Sequence, residues 1–234
     1  MCIEVREIKE KYNYDFRSLL INENTNEEEK NKINIQIENI VETLYEKLIS
    51  HDRKINETQK NNSWVPILSI AQHFGFDTRQ VFLSQLEYNS NEEKKDAQNI
   101  SGFISIDPNN KTRYHYHSDK VMFINFDNSD GHCRFTVAHE LGHYLFDFNE
   151  TKDTEYINTY RLDDYINPIE IRANRFAAAL LMPKDKFINE YEISKMKKLT
   201  LYDLVCYLSE YFLVSPTAVK RRINELKELD LLKD

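Results

Sequence analysis

The chain has 234 residues, 41% of them hydrophobic and 12% aromatic, enough for one substantial domain with small appendages around a real core. Its net charge of −8 argues against a protein whose main task is coating nucleic acid. Cys2, Cys133 and Cys206 are odd in number and far apart, and "MCIEVREIKEKYNY" has no apolar signal core. With no stretch of transmembrane length, these features predict a soluble, reduced, cytoplasmic protein that does not engage membranes.

Residues 1–62 read as an N-terminal helical extension and linker. Ile33, Ile37, Ile40, Val41, Leu44 and Leu48 recur at helical spacing, which predicts an amphipathic helix over about Glu27–Ser50. "HDRKINETQKNNS" reads as the linker. A compact core then spans 63–192. "VPILSIAQHFG" predicts a short helix entered through Pro66 and ended at Gly75. "QVFLSQLEY" reads as a strand and "NSNEEKKDAQN" as an exposed connection. "SGFISI", a "DPNNK" turn, "RYHYH" and "VMFINF" predict further strands. "DNSDG" offers a turn and N-cap residues for the helix that follows. A strong helix is expected over Pro168–Met182, with Pro168 in its first turn and Pro183 as its stop. Residues 193–234 form a helical tail, "LTLYDLVCYLSEYF" then "SPTAVKRRINELKEL", resembling a helix-turn-helix with Lys220, Arg221 and Arg222 on its last helix. A tail packed on the core outweighs a DNA-binding one, because the chain is acidic and the turn lacks glycine.

The chemistry lies in "RFTVAHELGHYLFDF", Arg134–Phe148. Residues four apart share a helix face, so His139 and His143 can aim imidazole nitrogens at one zinc ion about 2.0–2.1 Å away. Glu140 points to one side, where it can act as general base on a water at that ion. Catalytic zinc takes three protein ligands. Asp147 lies about 12 Å along the axis from His139, and His132 about 10 Å, too far to join both histidines. A second element must supply the third ligand. Phe146 and Asn149 stand where a metzincin would have glycine and histidine, which excludes that class. Glu170, at the start of the second strong helix, is the candidate, with Asn174 one turn on to hydrogen-bond a ligand. Glu170→Ala should then weaken zinc binding strongly, whereas Asp147→Ala and Glu155→Ala should not. Small residues Ala173, Ala177, Ala178 and Ala179 would let the two helices pack closely, and Gly142 would leave room for another backbone or for substrate.

"RFTVAHELGH" followed by "EIRANRFAAALLMP" resembles the ImmA/IrrE family of zinc metallopeptidases, over about Val65–Leu232. The resemblance implies an α+β, zincin-like core: a small, mostly antiparallel sheet beside the HExxH helix, with extra helices at both ends. It implies zinc ligands His139, His143 and Glu170 and a catalytic Glu140. It also implies an endopeptidase acting on a cytosolic regulator, such as a helix-turn-helix repressor of a phage or mobile element, or a stress regulator. The alternative is a non-proteolytic zinc-binding regulator or toxin–antitoxin component working through DNA or a partner. His115 and His117 could form a second metal pair, but no further donors cluster there. The residue stabilising the oxyanion is left open among these histidines and tyrosines such as Tyr144.

Overall fold

The computed structural model describes residues 8–12, 15–51, 57, 63–112, 115–148, 153, 155–161 and 167–233. Most of the expected linker 51–63 lies outside these residues, as do Arg113 and Tyr114. Among the described residues are nine helices: α1 (Glu27–His51), α2 (Ile67–His73), α3 (Asn91–Gln98), α4 (Pro108–Thr112), α5 (Asp130–Asp147), α6 (Pro168–Leu181), α7 (Lys184–Met196), α8 (Leu201–Phe212) and α9 (Pro216–Glu228). Four strands, β1 (Asp77–Val81), β2 (Ile100–Ile106), β3 (Lys120–Asn125) and β4 (Tyr156–Arg161), form one sheet of order β1-β3-β2-β4. The α+β class and the helices at both ends hold. The sheet is mixed: β2 pairs antiparallel with β3 and β4, while β1 runs parallel to β3.

Several expectations need correction. The strand near residue 80 is the polar segment Asp77–Val81, and the apolar residues after it enter a 3-10 turn at Leu83–Gln85. Phe82 and Leu86 are 42% and 51% exposed, so that run builds no core strand. The supposed connection "NSNEEKKDAQN" contains α3. Ser90 accepts from the Glu93 amide while the Glu93 carboxylate takes the Asn89 amide, a near capping box that holds a helix with no buried face. "DPNNK" becomes α4 rather than a turn, and the described part of "RYHYH" is not a strand. Helix α7 and strand β4 were not expected.

Helix α5 is the centre of the fold, touching the sheet, α2 and α6. One sheet face gives it Ile104, Ile106, Met122 and Ile124, all buried. The other carries the stacked pair Phe103–Phe123, half-exposed. Alternation along β2 and β3 sets this division. At Gly102 a Cβ would fall 2.6 Å from Thr136 Cγ2, so this glycine lets β2 approach α5. Helix α6 packs along another face of α5. A Cβ on Gly142 would meet Phe176 Cδ1 at 3.1 Å and the Ala173 Cα at 3.3 Å. The space left by Gly142 is therefore taken by the α6 backbone. Helix α1 covers α6, with the Tyr45 hydroxyl bonded to the Leu180 carbonyl. Among the described residues no helix is long and apolar enough to cross a membrane.

Candidate metal centre

Two local devices set the site. Helix α5 is apolar around much of its girth and runs through the core, so His139 and His143 lie one turn apart, 0% and 1% exposed. Helix α6 starts at Asn167, whose side chain accepts from the Ile169 amide, with Pro168 at its first position. That start places Glu170 in the first turn, where the helix dipole favours a carboxylate.

The two helices bring His139, His143 and Glu170 together. One donor atom from each lies within 4.8 Å of the others, the one such group among the described residues. The two Nε2 atoms face each other at 2.9 Å, and the Glu170 carboxylate lies 3.0 Å from His139 Nε2 and 3.3 Å from His143 Nε2. Both rings are held from behind. His139 Nδ1 is 3.0 Å from Asn174 Oδ1, and His143 Nδ1 is 3.0 Å from Asp147 Oδ2. With Nδ1–H donating to an oxygen, each ring presents its Nε2 lone pair to the same point as the carboxylate. Converging lone pairs repel unless a cation sits among them. Two imidazoles and one carboxylate, with their outer nitrogens satisfied, are the donor set of a catalytic zinc.

The electrostatics agree. Burial pushes His139 down to about 4. Burial also opposes charge on His143, but its contacts with Asp147 and Glu170 outweigh this and raise it to about 9. Burial works against the Glu170 anion too, yet the two histidines hold its carboxyl at about 2. Without metal, one proton thus supplies the positive charge the cluster calls for. Glu140 is fully buried and outside the convergent trio, close enough for its charge to act on His143 and Tyr156.

Asp147 is not among the converging donors, as its axial distance predicts. Its carboxylate instead stands behind His143, a contact that the axial distance alone does not reveal. That role was readable: Asp147 stands four residues after His143, on the same face. Arg172, bonded to the other Asp147 oxygen, was also overlooked. Tyr144 is engaged elsewhere; its hydroxyl takes a hydrogen bond from Lys120 Nζ and its ring packs on Phe74 and Phe76. His132 bonds Ser101 Oγ at 2.9 Å. His115 and His117 are exposed and join no metal-binding group among the described residues.

The family model for the IrrE N-terminal-like domain, Peptidase_M78, matches residues 98–224. That range contains the whole cluster, and the match supports a zinc metallopeptidase. No curated protein matches the chain significantly. From Ile100 in β2 to Asn224 in α9, three of the four strands, the paired helices and the buried donors fall within the matched range, and the chain belongs to the IrrE N-terminal-like domain family.

Proposed function

We propose that this protein is a zinc-dependent endopeptidase that cleaves a cytosolic regulatory protein, a helix-turn-helix repressor or a stress regulator. The observation that carries this reading is the convergence of His139, His143 and Glu170 with the buried Glu140 beside them. A zinc ion bound by these three side chains would polarise a scissile carbonyl and lower the pKa of its water toward about 7. His139 and His143 offer Nε2, and Glu170 its carboxylate, while Asn174 and Asp147 fix the two rings from behind. Glu140 takes a proton from the attacking water on its carboxylate and returns it to the leaving nitrogen. A structural zinc site would have no use for Glu140 and would favour four ligands rich in cysteine.

The reading in which the tail acts on DNA is weakened by Arg222. That side chain is buried, with its guanidinium on both Glu38 oxygens and Nε donating to the Met182 carbonyl at 3.1 Å. Lys220 and Arg221 are exposed on α9, a small basic face for a phosphate backbone. A dedicated substrate fits a peptidase sharing its compartment with essential proteins. Docking on remote surfaces would give high effective concentration at one bond. The test compares cleavage of a repressor encoded beside this gene with cleavage of casein, using Glu140→Gln as blank. Selective, Glu140-dependent cutting of the repressor is expected. Equal cutting of both would refute a dedicated substrate, and no Glu140-dependent cutting would favour the non-proteolytic regulator.

A further inference from the structure

We infer that the N-terminal segment around Phe16 is a working part of the metal centre, positioning His143 through Arg172 and Asp147. The inference rests on the metal-site reading above. Residues 8–12 and 15–20 lie outside the matched range 98–224, yet contacts from Lys9, Phe16 and Arg17 lead to the site.

Asp147 uses both carboxylate oxygens. Oδ2 meets His143 Nδ1 at 3.0 Å, and Oδ1 accepts from Arg172 Nη2. Arg172 is 2% exposed, a charge removed from water at considerable cost unless its donors are met. The N-terminal segment meets two of them: Nη1 donates to the Phe16 and Arg17 carbonyls, each at 3.1 Å. The guanidinium also lies over the Phe146 ring, 5.0 Å from its centroid. A planar fork spanning a carboxylate and two carbonyls is a task for arginine that lysine cannot copy.

The same segment caps the end of α5. Arg17 Nη2 donates to the Asp147 carbonyl at 2.7 Å and Lys9 Nζ to the Phe148 carbonyl at 3.1 Å. These cations sit on carbonyls at the helix C-terminus, where the dipole favours them. Phe16, 1% exposed, anchors the segment by packing on Phe146 and Tyr12. The Asp15 side chain accepts from the Arg17 amide and caps the 3-10 turn Phe16–Ser18. If the turn loosens, Arg172 loses two acceptors, the Asp147 carboxylate is freed to rotate, and the His143 ring loses its fixed aim. Arg172, Asp147 and the turn are thus positioning groups, and a partner that displaced the segment would slacken the metal site.

The test measures zinc affinity by chelator competition in the full chain, with the visible spectrum of the cobalt-substituted protein as a second readout. Asp147→Asn and Arg172→Lys should each weaken zinc about 10- to 100-fold and change the cobalt spectrum. Phe16→Ala should do the same. Asp15→Ala, which loosens the turn without opening the core, should act in the same direction if Phe16→Ala does not fold. The double variant Asp15→Ala/Asp147→Asn should bind zinc no more weakly than Asp147→Asn alone, because both act along one chain of contacts. Val219→Ala, a core truncation in α9, should lower stability and leave zinc affinity unchanged. Unchanged affinity in both N-terminal variants, losses that multiply in the double variant, or an equal loss in Val219→Ala would overturn the inference. An unmodified protein that takes up no zinc would overturn the metal-site reading itself, a distinguishable result.

Discussion

Two regions of this molecule bury charge, and they do it differently. In the tail, Arg222 sits between Glu38 and Glu225, and Arg175 adds a second cation near Glu225. The Glu38 contact is bidentate and the Met182 carbonyl accepts from Nε, so fixed side chains balance each other. In the metal centre, among the described residues, Glu140, Glu170 and Asp147 gather beside one arginine, Arg172, which is bonded to Asp147, and two histidine lone pairs converge besides. The tail cluster is complete as it stands. The α5–α6 cluster has an excess of acceptors around one point, which only a proton or a metal ion relieves. Buried charge alone is weak evidence of function; buried charge left unbalanced around a shared point is strong evidence.

The largest break in this contrast comes from the histidines. His139→Ala or Glu170→Ala should take zinc from about one per chain to near none and bring hydrolysis to background, as read by elemental analysis and a peptide assay. Full zinc in either variant would remove the basis for the contrast.

The tail should respond in stability instead. Glu38→Ala strands the Arg222 guanidinium and should destabilise the fold by about 3–5 kcal/mol in urea unfolding. Zinc stoichiometry should not change. Replacing both partners at once, Glu38→Leu with Arg222→Met, should recover most of that loss, because a balanced pair can yield to apolar packing. No such double apolar replacement should preserve function at His143 and Glu170.

Gly142→Ala tests the packing that joins the two helices. Alanine gains about 1 kcal/mol of helix propensity over glycine. The new methyl must press on Phe176 and on the Ala173 backbone at 3.1–3.4 Å, and overpacking costs about 1–3 kcal/mol. The net expectation is a loss of about 1 kcal/mol with a modest drop in zinc affinity, as Glu170 is pushed from the histidines. A more stable variant with unchanged affinity would show that the close approach is dispensable.

The smallest effect is a proton. His143 in the metal-free site is raised to about 9, so at pH 7 it is charged, and a metal ion must displace that proton. Zinc loading at pH 7 should release about one proton, and apparent affinity should fall about tenfold for each pH unit downward. Calorimetric titration in buffers of different ionisation enthalpy reads this directly; a release of none would mean the ring is already neutral.

Much of this was legible in the sequence, for physical reasons that differ by element. Helices α1, α5, α6, α8 and α9 announce themselves through apolar periodicity or proline-led starts. Helix α7 does not, because Glu190 and Ser194 occupy two of its four buried positions, Glu190 held by the Tyr207 hydroxyl at 2.8 Å. The helical period is there, but half of it is polar. Strand β1 was misplaced because its polar residues pair through the backbone, while the neighbouring apolar ones face solvent. At the site, the spacing of His139, Glu140 and His143 and the helix opening at Glu170 were readable. The contribution of Phe16 and Arg17 was not: it is made by their backbone carbonyls, which carry no mark in the residue types, across 156 and 155 positions of chain.

The central claim is that the unbalanced cluster is a working peptidase centre rather than a structural one. Glu140→Gln tests it most directly, because it removes the proposed proton carrier and leaves the three converging donors in place. Zinc content and hydrolysis of a peptide library should be measured side by side in the variant and the unmodified protein. The account predicts about one zinc per chain in both, with hydrolysis in the variant reduced about 100- to 10,000-fold. Hydrolysis undiminished with zinc retained would contradict it.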